Sequence, residues 1–213
     1  MSSPSSHTEV LDAIEQSDRF LIQQVFKPIA NEYRISVPAP GQTEEGEPLL
    51  YVRQKKMAIR EDIRFRTDPD REDHVFMIKS KTVFEFAGRH DVLDEQGAVV
   101  GTLEKSFGKS LLRSHWVVRD AAGTEVFSGE EKSLVIAIVR RFAGLIPIAG
   151  SELLQYLPFN FVLTGPSGPV GLYRRVLGTF RDRYVLELES GATGIDRRLL
   201  LATAIGLDAL QDR

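Results

Sequence analysis

The chain ends with IDRRLLLATAIGLDALQDR, residues 195 to 213, a segment with almost no polar face. Between Leu199 and Leu210 only Thr203 and Asp208 are polar. A helix that is apolar on every side lies either inside a large core or in a membrane. The apolar run is much shorter than the about 20 residues that span a bilayer, and charged residues bound it. The pattern therefore predicts a helix over 195 to 210 that the rest of the protein surrounds.

Most of the chain before this helix has the pattern of β-strands. Its segments alternate polar and apolar residues or are rich in β-branched and aromatic ones, and turn signals separate them about every ten residues, which indicates an all-β sandwich or barrel. Two interruptions, at about 131 to 143 and 150 to 156, are predicted as helical. The predicted strands are RFLIQQVF, EYRISV, LLYVRQKKM, HVFMIKSK, TVFEFAGRHDVL, VVGTLEKSF, LLRSHWVVRD, TEVFSG, NFVLT, VGLYRRV and RYVLELE.

An internal repeat links several of these strands. Asp94-x-x-Gly97 and Asp120-x-x-Gly123 stand between β-rich flanks, and Gly168 takes the same place in a third copy. Asp caps its own turn and Gly accepts a positive φ, so each unit is predicted to be a β-hairpin. Repeated hairpins followed by one apolar helix are best accommodated by a closed barrel with the helix in its lumen.

The segments LYVRQKKMAIREDIRF, HDVLDEQGAVVGTLEKSFGKSLLRSHW and DRRLLLATAIGLDAL carry a family resemblance. Over about residues 19 to 211 the chain resembles the tubby-like C-terminal superfamily, and within it the LURP-one-related and phospholipid scramblase-like proteins of bacteria. The resemblance implies a mainly β (α+β) fold, a closed antiparallel barrel of about twelve strands that encloses a C-terminal hydrophobic helix.

Composition narrows the function classes. The 213 residues suffice for one large domain or two small ones, and no cysteine is present to form disulfides or thiolate metal sites. The net charge of -3 argues against broad nucleic-acid binding, and the N-terminus lacks a secretory signal pattern. We expect a cytoplasmic monomer without cofactor or metal. Residues 1–18 are expected to be a mobile tail with at most a short helix, and residues 19–213 a single barrel domain.

The candidate catalytic and metal motifs are incomplete. His90-Asp91 and Ser114-His115 resemble parts of a triad, but adjacent strand residues point to opposite faces and no G-x-S-x-G occurs. The acidic segment 68 to 74 lacks the glycine and glutamate of an EF-hand loop. Scramblase-type relatives are associated with an acidic calcium segment before the last helix, where this chain offers only Glu187, Glu189 and Asp196. We therefore predict no catalytic or metal-binding residues.

Two stretches carry excess positive charge. Residues 51 to 66 hold six basic and two acidic residues, 6 − 2 = +4, and residues 171 to 183 hold four and one, 4 − 1 = +3. They fit either ordinary solvent-facing strands or a site for anionic lipid. The candidate head-group residues are Arg53, Lys55, Lys56, Arg60, Arg64, Arg174, Arg175 and Arg181.

Two function classes follow from these observations. In the first, the protein is a non-enzymatic module that binds anionic phospholipids at the cytoplasmic membrane face; the resemblance favours it, since tubby itself is a phosphoinositide binder. In the second, it is an intracellular scaffold or regulatory barrel that binds protein partners. A carrier is disfavoured because the helix fills the lumen. Convergence of the basic residues on one face would favour lipid, and scatter would favour the scaffold.

The segment LEKSFGKS is predicted not to bind ATP. Gly108, Lys109 and Ser110 match the end of a phosphate-binding loop, but Leu103 stands where the first glycine is required, and a strand pattern follows in place of a helix. Millimolar MgATP should leave the melting temperature unchanged, whereas a true site would raise it by mass action. A saturable rise that disappears in Lys109→Ala would contradict this.

Overall fold

The computed structural model describes residues 6–26, 30–39, 46–55, 62–80, 88–106, 115–131, 160–176 and 182–210. Two α-helices, α1 (His7–Glu15) and α2 (Arg197–Ala209), flank the strands, and a 3-10 turn (Ser190–Ala192) precedes α2. The strands are β1 (Arg19–Phe26), β2 (Ala30–Ser36), β3 (Pro48–Lys55), β4 (Asp62–Arg66), β5 (Phe76–Ser80), β6 (Arg89–Asp94), β7 (Val99–Ser106), β8 (His115–Asp120), β9 (Glu125–Glu131), β10 (Asn160–Gly165), β11 (Gly168–Val176) and β12 (Arg183–Leu188).

The twelve strands that the structure describes form one closed antiparallel barrel. Each strand pairs with its neighbours in sequence, and β1 closes the ring by pairing with β12, with Phe20 opposite Leu186. Closure leaves no unpaired sheet edge. The predicted fold class and strand number are confirmed, whereas the predicted helices at 131–143 and 150–156 fall almost wholly outside the described residues.

The repeated hairpins have the predicted turn chemistry. The Asp94 side chain accepts hydrogen bonds from the backbone amides of Gln96 (2.9 Å) and Ala98 (2.8 Å), and Asp120 accepts one from Thr124 (2.8 Å). The glycines that follow, at 97, 123 and 168, all have positive φ. In each of these hairpins the strand register also shifts by one residue just beyond the turn. Such bulges increase strand bending and twist, as closure of a barrel requires.

Helix α2 occupies the lumen. Asp196 caps it by accepting a hydrogen bond from the Arg198 amide (2.9 Å), and ten of its thirteen residues are buried. The polar Thr203 is accommodated because its hydroxyl donates to the Leu199 carbonyl (2.7 Å). These contacts confirm the predicted buried helix.

A glycine in the wall lets the helix approach closely. A Cβ atom at Gly101 on β7 would lie 2.8 Å from Leu199 Cδ2 and 2.2 Å from the Arg119 carbonyl oxygen. Real Cβ atoms do not approach other heavy atoms so closely. The glycine that follows the bulge therefore also sets the distance between the wall and α2.

Residues 7–15 form a helix within the segment for which a tail with at most a short helix was predicted. Helix α1 forms there, with a capping box between Ser6 and Glu9. Val10 and Ile14 are buried in the same core cluster as α2, and His7 contacts Glu95 and lies 3.4 Å from Asp73. Sequence reasoning weighed the acidic residues of this segment and overlooked the i, i+4 apolar pair that attaches it to the core.

The burial of α2 can be tested with one carboxylate. Ala204 is 1% exposed, so Ala204→Asp would place an unpaired charge in the lumen. We expect the variant to fail to fold or to lose several kcal/mol of unfolding free energy in thermal or urea denaturation. The matched control is Ala121→Asp at the exposed β8–β9 turn, which should change stability by no more than about 0.5 kcal/mol. A melting temperature for Ala204→Asp within a few degrees of wild type would contradict the burial.

Candidate anion-binding groove

Two arginines and a tyrosine form a row across the outer wall of the barrel. Arg34 on β2 lies opposite Tyr51 on β3, and Tyr51 lies opposite Arg66 on β4. Their neighbours Tyr33, Val52 and Phe65 are buried toward the lumen, so alternation directs the row outward. Because neighbouring strands are about 4.8 Å apart, the Cα atoms of the two arginines are separated by roughly 10 Å.

This row lies in a groove of about 310 Å³. The wall strands β1 to β4 form its floor, and Pro69 and Asp70 of the β4–β5 loop form one rim. Its charged lining residues are Glu32, Arg34, Arg53, Arg66 and Asp70, which sum to 3 − 2 = +1. The groove is therefore weakly cationic, with its acidic residues outside the central row.

Arg66 is the most enclosed charged group of the groove. Its side chain is only 3% exposed, and its Nη2 donates to Glu72 Oε2 at 3.2 Å. Its Nε is buried and has no hydrogen-bond partner among the described residues. Glu72 also accepts from Arg64 Nη1 at 3.2 Å, so one carboxylate from the β4–β5 loop positions two arginines of β4.

A second row follows one step along the same strands. Glu32, Arg53 and Arg64 lie opposite one another on β2, β3 and β4. Arg53 Nε is 3.7 Å from Glu32, and Arg64 donates to both carboxylate oxygens of Asp62, at 2.9 and 3.0 Å. These hydrogen bonds raise the pKa of Arg64. Two predicted head-group residues, Arg53 and Arg64, are thus brought side by side, each already facing a carboxylate.

The predicted residues of β11 lie elsewhere on the barrel. Arg174 is 3.4 Å from Glu187, and Arg175 pairs with Asp182. Through the strand pairing, Arg174 is level with Leu21 on β1, and Arg53 is level with Val25 on the same strand. Arg174 and Arg53 are therefore four strands apart around the barrel, about 19 Å, and four residues apart along the strand direction, about 14 Å. The two basic stretches therefore form separate patches, which is neither full convergence nor scatter.

The remaining predicted head-group residues cannot be compared in this way. Lys56, Arg60 and Arg181 lie outside the described residues, as does Gly108-Lys109-Ser110. Lys55 is described only as the last backbone position of β3.

Residues of the catalytic and metal motifs considered above form a hydrogen bond, a ring contact and ion pairs with other side chains. His90 Nδ1 is 2.9 Å from Ser80 Oγ, and His90 stacks on Trp116 with ring centroids 6.4 Å apart. The acidic residues before α2 engage arginines, since Glu187 is 3.2 Å from Arg19 and Asp196 contacts Arg198 at 2.6 Å. Within the described ranges no three His, Cys, Asp or Glu side chains cluster as metal ligands would.

Comparison with known families agrees with this architecture. The model of the family described as LURP-one-related matches residues 49–208, which is most of the chain. The chain belongs to the LURP-one-related family. This places it in the tubby-like superfamily and confirms the resemblance seen in the sequence. No curated protein matches the chain. Tyr51 and Arg66 of this LURP-one-related protein lie inside the matched segment, and Arg34 precedes it.

Neither of the helices described for this LURP-one-related barrel is long and apolar enough to cross a membrane.

Sequence reasoning selected none of the three residues in the central row. Arg66 was counted in a basic stretch but was not selected, and Arg34 and Tyr51 were not considered. Alternation within EYRISV and LLYVRQKKM gives the outward residues of each strand. The register between the strands was not predictable, because eleven residues, 37–47, separate them in sequence and a register shift follows Ile35.

A partly buried histidine near Arg64 predicts a pH dependence. Partial burial and the nearby Arg64 lower the pKa of His74 from its ordinary 6.5. The unfolded chain then binds a proton more readily than the folded one, so stability falls as pH drops from 6.5 through the folded-state pKa. We expect His74→Gln to flatten part of this decline in melting temperatures measured between about pH 5 and pH 7.5. Parallel curves for wild type and variant would contradict the shift.

Proposed function

We propose that this protein is a non-enzymatic, peripheral binder of anionic phospholipids at the cytoplasmic face of a membrane, and that it uses the outer face of β2 to β4. The observation that carries the proposal is the set of outward arginines on three adjacent strands, two of them in one cross-strand row with Tyr51. Guanidinium groups suit phosphate recognition because they present several donors in a planar fork. Membership of a tubby-like family also supports it.

Electrostatics sets the expected strength of this binding. Each basic residue near an anionic surface contributes about 1 kcal/mol, and the contribution decays within a Debye length. The arginines of the second row are partly neutralised by Glu32, Asp62 and Glu72. Binding should therefore be weak, reversible and strongest at low salt.

Liposome co-sedimentation tests the proposal. We expect the protein to sediment at low ionic strength with vesicles that contain acidic lipids and to remain in solution with neutral ones. The combined replacement of Lys55, Lys56 and Arg60 with Ala should weaken sedimentation, because it removes three positive charges. Equal sedimentation with neutral and acidic vesicles, or none with either, would leave the scaffold function as the remaining candidate.

A matched pair of variants tests which face is used. Arg53 and Arg174 are both strand arginines with one glutamate nearby, at 3.7 and 3.4 Å. Only Arg53 borders the groove. Arg53→Gln should reduce sedimentation with acidic vesicles, and Arg174→Gln should leave it unchanged. The reverse order would assign binding to β11 instead.

A further inference from the structure

The Nε of Arg66 is a buried donor that lacks an acceptor among the described residues; the Nε of Arg197 is in the same state, but of the two only Arg66 lines the groove. Glu72 takes one guanidinium nitrogen, but no described residue accepts from Nε, although the side chain is 3% exposed. A buried donor without an acceptor is costly and rare in folded proteins. Arg66 also borders the groove. Its unused donor is therefore suited to an acceptor that enters from the groove.

The opposite side of the groove supplies a second guanidinium. Arg34 lies two strands away in the same row, and Tyr51 stands between the two arginines. With Cα atoms roughly 10 Å apart, the two arginines are within side-chain reach of an anion placed between them, at Tyr51. Tyr51 adds a hydroxyl that can donate to an oxygen. The row thus offers donors on two sides and at its centre.

The acidic residues that border the row limit the charge of the anion that it can bind. The guanidinium groups of Arg34 and Arg66 can donate to one phosphate monoester, whose three terminal oxygens can accept several hydrogen bonds at once. Glu32 and Asp70 also line the groove, and they would repel a second phosphate beside the first. A carboxylate or a phosphodiester presents fewer terminal oxygens and less charge to the same donors. The lining therefore favours one phosphate monoester group over a polyphosphorylated ligand.

We propose that this groove is a binding site for a single phosphate monoester, held between Arg34 and Arg66 with Tyr51 at the centre. The inference deepens the proposed function, because a monoester lipid such as phosphatidic acid would be the preferred membrane ligand. The same chemistry is also present in free inorganic phosphate. The two sources are separated by the experiments below.

Arginine Nε–H signals in two-dimensional ¹⁵N NMR spectra test the site directly. The Arg66 signal is assigned by its loss in Arg66→Lys. Titration with inorganic phosphate should shift this signal saturably, and chloride at equal ionic strength should not. Arg34→Gln should weaken phosphate binding about tenfold, in keeping with the loss of a charge-assisted hydrogen bond, whereas Arg174→Gln should not. An Arg66 signal that does not move, or that moves equally with chloride, would overturn the inference.

Vesicles test the lipid source with the same variants. Phosphatidic acid vesicles should bind more tightly than phosphatidylserine vesicles of equal zeta potential, and Arg34→Gln should abolish the difference. Saturable phosphate binding without vesicle binding would retain the groove and reject the membrane function. Vesicle binding without a phosphate-induced shift, and unaffected by Arg34→Gln, would retain the membrane function and reject the groove. Unchanged melting temperatures of Arg34→Gln and Tyr51→Phe would exclude misfolding as the cause of any loss.

Discussion

The architecture depends on burying a helix that has no polar face. Leu200, Leu201 and Ala202 of α2 are fully buried, and so is Ile205 on the next turn, so water must be excluded from every side of the helix. One sheet face or one helix face could cover only part of it. A closed barrel is a solution that surrounds the helix and also satisfies every strand edge. The hairpin turns, the bulges and Gly101 are consequences of closing the wall tightly around this helix.

Because α2 fills the lumen, functional side chains are to be sought on the outer face of the barrel wall. The inner faces of the strands pack on α2, and even the polar groups near its end are engaged, since Tyr33 and Tyr184 both donate to Asp208 at 2.7 Å. Outward side chains are therefore the ones available to a ligand, and a strand contributes every second residue to the outer face. Cross-strand rows then bring functional groups together, and β2 to β4 provide one with two arginines around a tyrosine.

The limits of sequence reasoning follow from the same division between inner and outer faces. The helix, the hairpins and the barrel were predictable because burial and turn chemistry are local signals, carried by residues such as Leu200, Asp94 and Gly97. The charged groove was not, because its members come from separate strands whose register depends on loops and bulges. Counting charge along the chain also overestimated the basic patches, since Glu32 and Glu72 approach them from outside the counted window.

Pairing by acidic residues is compatible with the anion binding that we propose for the groove. Glu72 is 72% exposed, yet it holds Arg66, which is almost fully buried, and Arg64 at the same distance of 3.2 Å. Because Glu72 stays largely in water, its pairing with Arg64 and Arg66 costs it little desolvation, and it gives both guanidinium groups a common partner. Arginines ordered in this way lose less side-chain entropy when an anion arrives. The ion pairs that lower the net charge of the β2–β4 face therefore also preorganise it, so local geometry is a better guide to anion binding here than net charge.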